Sequence, residues 1–218
     1  MFKLIHHIFD QSVNFIDINN MSVIFSEKEL EKRKALIKVT YKLIAEHGFT
    51  NITLQDVADR ADVSKGIILY YFENKEALFE AVLEWLVKRI ELHIRAEVSR
   101  AEDPISKIKA FNDATFLGIK ENREFYLVYL DFLAQSSHTE RLRNVNLAFY
   151  NQCSQVQSQI LRDGIEKGIF REVNTSEYCI ISRALIDGLC IRWLFDTPER
   201  FTFYKQTALQ ITLDYLKK

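Results

Sequence analysis

Proline and glycine are nearly missing from this chain: two prolines and six glycines in 218 residues. With so little to interrupt helical periodicity, an all-α protein is expected, and folds that need frequent turn residues are disfavoured. Cysteine is scarce as well. Cys153, Cys179 and Cys190 are an odd number without metal-ligand spacing, so they read as free thiols in a reducing cytoplasm, not as a disulfide framework. Of the five histidines only His6 and His7 adjoin, and no metal or cofactor is expected. An excess of one charge is absent too. The 29 basic and 30 acidic residues leave a net charge of −1, so any attraction for a polyanion must be local. No nucleophile–base pair and no phosphate loop is visible, which argues against an enzyme. What is present is an ordinary soluble composition, 48% apolar and 27% charged, long enough for one large or two small domains with a real core.

The most informative stretch is Thr53 to Lys75, TLQDVADRADVSKGIILYYFENK. Leu54, Val57, Ala58 and Ala61 keep helical spacing and form one apolar face. Thr53 is placed to cap that helix, and Ser64 to cap a second one running through Lys65, Gly66, Ile67, Ile68, Leu69 and Tyr70. Asp62-Val63 makes the turn between them. Gly66 puts bare backbone where a helix can approach another surface closely. This is the pattern of a helix-turn-helix, whose second helix enters the DNA major groove.

In chain order, residues 1–20 are an apolar run broken by His and Asp, neither a signal peptide nor a membrane span. The expectation is a tail over 1–25, either disordered or a mis-assigned start with the protein proper beginning at Met21. The alternative is an arm that reaches a neighbouring groove. Helix 1 starts near Ser26, where Ser-Glu-Lys-Glu offers a capping box to Glu29, and ends at Gly48. Its stripe is Leu36, Ile37, Tyr41, Leu43 and Ile44. Its other side carries Lys28, Lys32, Arg33, Lys34 and Lys38, which read equally as a solvated face or as phosphate contacts. Asn74 caps a long helix 4 to about Arg100. Asp103-Pro104 opens helix 5, to about Lys120. Helix 6, about Arg123 to Ala134, is apolar nearly all round and should be buried on most faces. Ser137 to Glu140 offers a capping box for helix 7, which Gly168 follows. Asn174 starts helix 8, and Thr197-Pro198-Glu199 stops it and starts helix 9. The expected division is a head over 26–73 and a helical body over 74–218.

The segments RKALIKVTYKLIAEHGF, TLQDVADRADVSKG and YYFENKEALF resemble the N-terminal domain of the TetR family of transcriptional regulators. Gly48-Phe49, Thr53, Val57-Ala58, Ala61, Val63-Ser64, Gly66, Tyr71-Phe72 and Lys75-Glu76 carry the likeness. ILRDGIEKGIFREVNTSEY and ALIDGLCIRWLFDTPERF resemble the family's helix 7 to 9 region, as in choline-regulator-like and multidrug-type members. Three departures stand out. Ile67-Ile68-Leu69 replaces a common Thr-Leu-Tyr, so Tyr70 or Tyr71 would have to supply the phosphate-binding hydroxyl. Ile67 replaces a polar groove residue and suits a thymine methyl. Asp62 replaces a turn glycine and tolerates left-handed geometry.

The resemblance implies a dimeric repressor on a near-palindromic double-stranded operator, released by a small effector. Thr53, Tyr70 or Tyr71, and Lys75 are the expected phosphate contacts, with Arg33 a further candidate, and Ser64, Lys65, Gly66 and Ile67 are the groove-facing set. Phe72 is expected in the core. Helices 8 and 9 should form the homodimer through Ile181, Leu185, Gly188, Leu189, Arg192, Thr207, Ile211 and Tyr215. Phe111, Phe116, Tyr126, Tyr129, Phe132, Phe149 and Trp193 could line an effector cavity, with Asp131 suiting a lipophilic cation or pairing instead with Arg123, Arg192 or a histidine. The rival readings are a helical small-molecule-binding protein with a vestigial head, and a regulator answering to a protein partner.

Overall fold

The computed structural model describes residues 26–120 and 123–218, with side chains 117–120 excepted. The expected tail over 1–25 lies outside the described residues. Among those described there are nine α-helices and no strands. We label the helices α1 (Glu27–His47), α2 (Leu54–Arg60), α3 (Lys65–Tyr71), α4 (Lys75–Arg100), α5 (Pro104–Lys120), α6 (Arg123–Ser136), α7 (Glu140–Glu166), α8 (Thr175–Leu194) and α9 (Phe201–Leu216). Short 3-10 turns at Phe49–Asn51 and Pro198–Arg200 complete the element order.

The helix starts follow local side-chain chemistry. Ser26 and Glu29 form the capping box of α1, and Thr53 forms one on α2 with Asp56. Asn74 Oδ1 accepts the Ala77 amide at 2.9 Å, and Asn174 Oδ1 accepts those of Ser176 and Glu177. Ser137 is a correction. Its hydroxyl donates backward to the Ala134 carbonyl, and the first turn of α7 instead closes from the Arg143 amide onto the Thr139 carbonyl. Pro104 is the first residue of α5, whereas Pro198 opens the 3-10 turn ahead of α9.

The chain forms two compact units. One comprises the described residues up to Arg89 together with Leu127–Asn146; the other comprises Ile90–Tyr126 and Leu147–Lys218. In the first, the stripe Leu36, Ile37, Tyr41, Leu43 and Ile44 is buried, and Val57, Ala58, Ile68 and Phe72 close over it. Phe72 is 3% exposed, as expected of a core residue. Tyr41 meets Trp85 edge-on at 5.5 Å. Phe49 sits edge-on against both Phe79 (4.6 Å) and Phe132 (5.3 Å). In the second unit, α9 packs on α8 and α5. Phe201 joins Trp193 (5.2 Å) to Phe116 (6.1 Å), and the Asn112 amide donates to the Lys205 carbonyl at 3.2 Å. No described helix is long and apolar enough to cross a membrane.

Candidate nucleic-acid interface

The turn between α2 and α3 is a Schellman motif. The Asp62 amide donates to the Asp59 carbonyl (3.3 Å) and the Val63 amide to that of Ala58 (3.0 Å). The closing residue needs a left-handed backbone, and Asp62 supplies it with φ +52°. It is the one non-glycine with positive φ among the described residues. A short polar side chain survives there because it tolerates that region better than most. On the far side of α2, Arg60 makes a two-pronged pair with Glu46 of α1 (2.6 and 3.2 Å), which fixes the two helices against each other.

Helix α3 presents a bare face to solvent. Ser64, Lys65, Gly66, Leu69 and Tyr70 are exposed, while Ile67 is half-buried and Ile68 fully buried. Ser64 occupies the N-cap position, yet its hydroxyl makes no capping hydrogen bond. A Cβ added at Gly66 would meet only the Ser64 hydroxyl, at 3.6 Å. Nothing inside the protein requires a glycine there, although an exposed helical glycine costs about 1 kcal/mol relative to alanine. No acid lies between Ser64 and Phe72, so Lys65 sets the sign of this face.

The flanking residues divide. Thr53 is exposed, with its hydroxyl held in the capping box by Asp56. Tyr70 is 59% exposed, but its hydroxyl donates to Glu29 at 2.7 Å. Hydrogen bonds from Ser26 and Tyr70 pull the Glu29 carboxyl down to about 2, so it stays anionic beside that hydroxyl. Tyr71 is half-buried, edge-on to Tyr70 at 5.0 Å. Arg33 is half-buried and does not lie on a solvated face. Its guanidinium stacks on Phe72 at 4.7 Å, its Nε is buried without a hydrogen-bond partner, and burial lowers its pKa against the opposing pull of Glu84.

Lys75, the first residue of α4, holds its ammonium 5.0 Å from the Phe79 ring centre, and partial burial lowers its pKa. One positive charge of this kind, released to a phosphate, contributes close to one counterion. Lys75→Ala is therefore expected to weaken binding on all DNA sequences and to flatten the slope of log K against log salt by about one unit. Titration across a salt series checks this, and an unchanged slope removes Lys75 from the interface.

The expected effector aromatics are all buried and Asp131 is half-buried, but they belong to different units. Phe111, Phe116, Tyr126, Phe149 and Trp193 lie in the second, and Tyr129, Asp131 and Phe132 in the first. Asp131 does not pair with an arginine or a histidine: its Oδ2 accepts the Phe49 amide at 3.2 Å. It therefore pins the turn after α1 onto α6. Arg123 instead donates to the Leu194 carbonyl. The carboxylate beside aromatics in the second unit is Asp187, which the sequence reading missed. Arg183, four residues earlier on α8, pairs with it, and the Tyr150 hydroxyl donates to it at 3.2 Å. The only sequence signal was the four-residue spacing of Arg183 and Asp187, which ordinary surface pairs share. The three cysteines are buried free thiols, and desolvation raises Cys153 to about 11 and Cys190 to about 12, far from a reactive thiolate.

On α8, Ile181 (61%), Gly188 and Arg192 are exposed, with Leu185 and Leu189 half-buried; on α9, Ile211 (48%) and Tyr215 are exposed and Thr207 half-buried. Ile180, Ile191, Phe195 and Phe203, outside the expected set, are exposed as well. A Cβ on Gly188 would meet nothing within 4 Å.

Comparison with known proteins bears on both units. Residues 36–82 match the family described as bacterial regulatory proteins, tetR family, and residues 104–218 match the C-terminal domain of BetI-type transcriptional repressors. The HTH-type transcriptional regulator BetI of Serratia proteamaculans (strain 568) is 28% identical over 190 residues, covering 85% of this chain and 90% of that protein. Its counterpart in Pectobacterium carotovorum subsp. carotovorum (strain PC1) is 28% identical over 197 residues, 86% of this chain and 93% of that one. A TetR transcription regulator from Haloarcula marismortui ATCC 43049 shares the fold with a TM-score of 0.79 at 22% identity, over 86% of this chain and 99% of that chain. A transcriptional regulator from Saccharomonospora viridis, solved in complex with choline, does so with a TM-score of 0.78 at 22% identity, over 86% and 98%. A small-molecule-binding protein with a vestigial head is not favoured, because residues 36–82 match the tetR regulatory-protein family in their own right. With the helix-turn-helix built as described and both parts of the chain matched, the protein belongs to the TetR family and is a DNA-binding transcriptional regulator.

Proposed function

We propose that the protein is a dimeric repressor whose α3 enters the major groove of a near-palindromic operator and which a small cationic effector releases. Residues 26–73 serve as the reading head and 74–218 as the regulatory and dimerising body. One observation carries the DNA reading: Gly66 keeps an exposed helix bare where no internal contact requires it. Lys65 and the Gly66 backbone approach the base edges, Ile67 and Leu69 supply apolar contact to thymine methyls, and Thr53, Tyr71 and Lys75 position the phosphates. The half-helix is short, so two heads on a two-fold axis are needed to read enough sequence. The exposed apolar face of α8 and α9 around Gly188 suits that pairing.

The effector class rests on two supports. The body matches BetI-type repressors, and a relative of the same fold was solved with choline. Release follows if the effector binds one arrangement of the body better, by no more than its differential affinity for the two states. Within the first unit, Phe49 is held by Asp131 and Phe132 of α6 and by Phe79 of α4, so a shift of either helix moves the turn on which α1 and α2 depend.

Gly66→Ala tests the DNA reading. Helix propensity predicts a fold more stable by about 0.5–1 kcal/mol. The added methyl meets the groove floor, and operator binding should weaken roughly tenfold to a hundredfold, the range of about 1–3 kcal/mol for one lost base contact. A gel shift with DNA upstream of the protein's own gene reads the affinity, and thermal melting reads the stability. Undiminished binding by Gly66→Ala removes α3 as the close-approach helix.

A further inference from the structure

In the second unit, two aromatic rings and one carboxylate contact a cation that the protein supplies itself. The Arg183 guanidinium lies 4.9 Å from the Tyr150 ring centre and 5.4 Å from that of Phe149. It pairs through Nε with Asp187 Oδ2 at 2.9 Å, and its second nitrogen reaches Oδ1. Tyr150 adds its hydroxyl to the same carboxylate at 3.2 Å. Tyr126 donates to the Asp187 backbone carbonyl at 3.2 Å; burial, then nearby Cys190 and Asp187, keep its phenol protonated. The side chains of Arg183 and Asp187 are only 16% and 17% exposed. A second pair, Glu91 with Arg95 at 2.7 Å, stands near, since Cys153 feels all four charges.

We propose that this box is the effector site, and that Arg183 is an internal stand-in which a quaternary ammonium displaces. The inference rests on the cationic effector of the preceding section. Three features favour a cation over an anion. Aromatic faces are negative and attract cations. Arg183 is long and partly exposed, so it can swing to solvent, whereas Asp187 is short and doubly held. Exchange of one cation for another also leaves Asp187 paired, avoiding the cost of an uncompensated buried charge. Because the guanidinium competes with the ligand, its removal should tighten binding, which is the opposite of what loss of a ligand-contacting residue does.

The test uses the full chain, with choline as probe and its uncharged carbon isostere as control. Arg183→Met keeps the stem and removes the charge. Calorimetry should show Arg183→Met binding choline at least tenfold more tightly than wild type, and Asp187→Asn at least tenfold more weakly. Arg183→Met leaves Asp187 without its cation and should melt below wild type; choline should restore its melting temperature by more than it raises that of wild type, while the isostere and sodium chloride at equal ionic strength should not. This readout still applies if the variant is only marginally folded. Unchanged or weaker choline binding by Arg183→Met, or full affinity in Asp187→Asn, overturns the box. Gel shifts separate the two proposals. Release of wild type, Arg183→Met and Asp187→Asn from DNA at the same choline concentration upholds a cationic effector and rejects this site. Stabilisation of Arg183→Met without release of any variant from DNA upholds the site and rejects its role as effector site.

Discussion

Gly164→Ala is expected to destabilise the protein by about 2–3 kcal/mol, although alanine is the better helix former by about 1 kcal/mol. Gly164 lies near the end of α7, where an added Cβ would fall 2.1 Å from Phe170 Cδ2 and 2.3 Å from Cε2. The ring is 3% exposed and has little room to retreat. The amides of Ile169 and Phe170 both donate to the Gly164 carbonyl, at 2.8 and 3.0 Å, and Gly168 turns the chain back with φ +69°. The phenylalanine is therefore folded onto the helix end at the place where the side chain is missing. Denaturant unfolding should give a lower midpoint with unchanged slope, and Phe170→Leu should recover part of the loss in the alanine background. A midpoint equal to wild type would show that the ring can shift, and the packing argument would fail. Gly66 and Gly188 give the contrast: a Cβ meets only the Ser64 hydroxyl at the first and nothing within 4 Å at the second, whereas at Gly164 it meets a buried ring.

The second large effect concerns assembly. A double variant, Ile181→Glu with Ile211→Glu, is expected to sediment as a monomer at micromolar concentration and to lose operator affinity by about a hundredfold or more, since a single head loses the effective concentration its partner supplies. Both side chains are exposed in the single chain, so the substitutions need not disturb the core. Helicity by circular dichroism should be retained, and short DNA carrying one half-site should be bound as weakly by the variant as by an isolated wild-type head. A variant that remains a dimer would place the interface elsewhere than on α8 and α9. Burying two carboxylates where Ile181 and Ile211 now stand would give the disruption its size.

The sequence was most readable where a short-range interaction decides the structure. Ser26, Thr53, Asn74 and Asn174 cap the helices they were expected to cap, because each hydroxyl or amide reaches an amide within three residues. Asp62 adopts the left-handed turn its position implied. Ser137 misled because the same hydroxyl can bond backward to a preceding carbonyl as readily as forward. The site residues were less readable. Asp131 binds an amide 82 positions away, and no spacing rule reaches that far. Arg33 reads equally as part of a solvated face or as a phosphate contact, and residue order does not reveal that the Phe72 ring, just beyond α3, holds it half-buried. Arg183 and Asp187 show as a common helical pair in sequence, and only Phe149 and Tyr150 of α7 turn that pair into a box.

The sequence by itself therefore determined an all-helical chain, the helix starts capped by Ser26, Thr53, Asn74 and Asn174, the helix-turn-helix and the membership that the motif spacing carries. These depend on periodicity and on hydrogen bonds between near neighbours, which the order of residues specifies directly. The tertiary structure alone decided which carboxylate stands among aromatic rings, which glycine the packing requires and which arginines are drawn inward. Those outcomes depend on burial and on contacts between helices distant in sequence, and their energies exist only once the helices have come together.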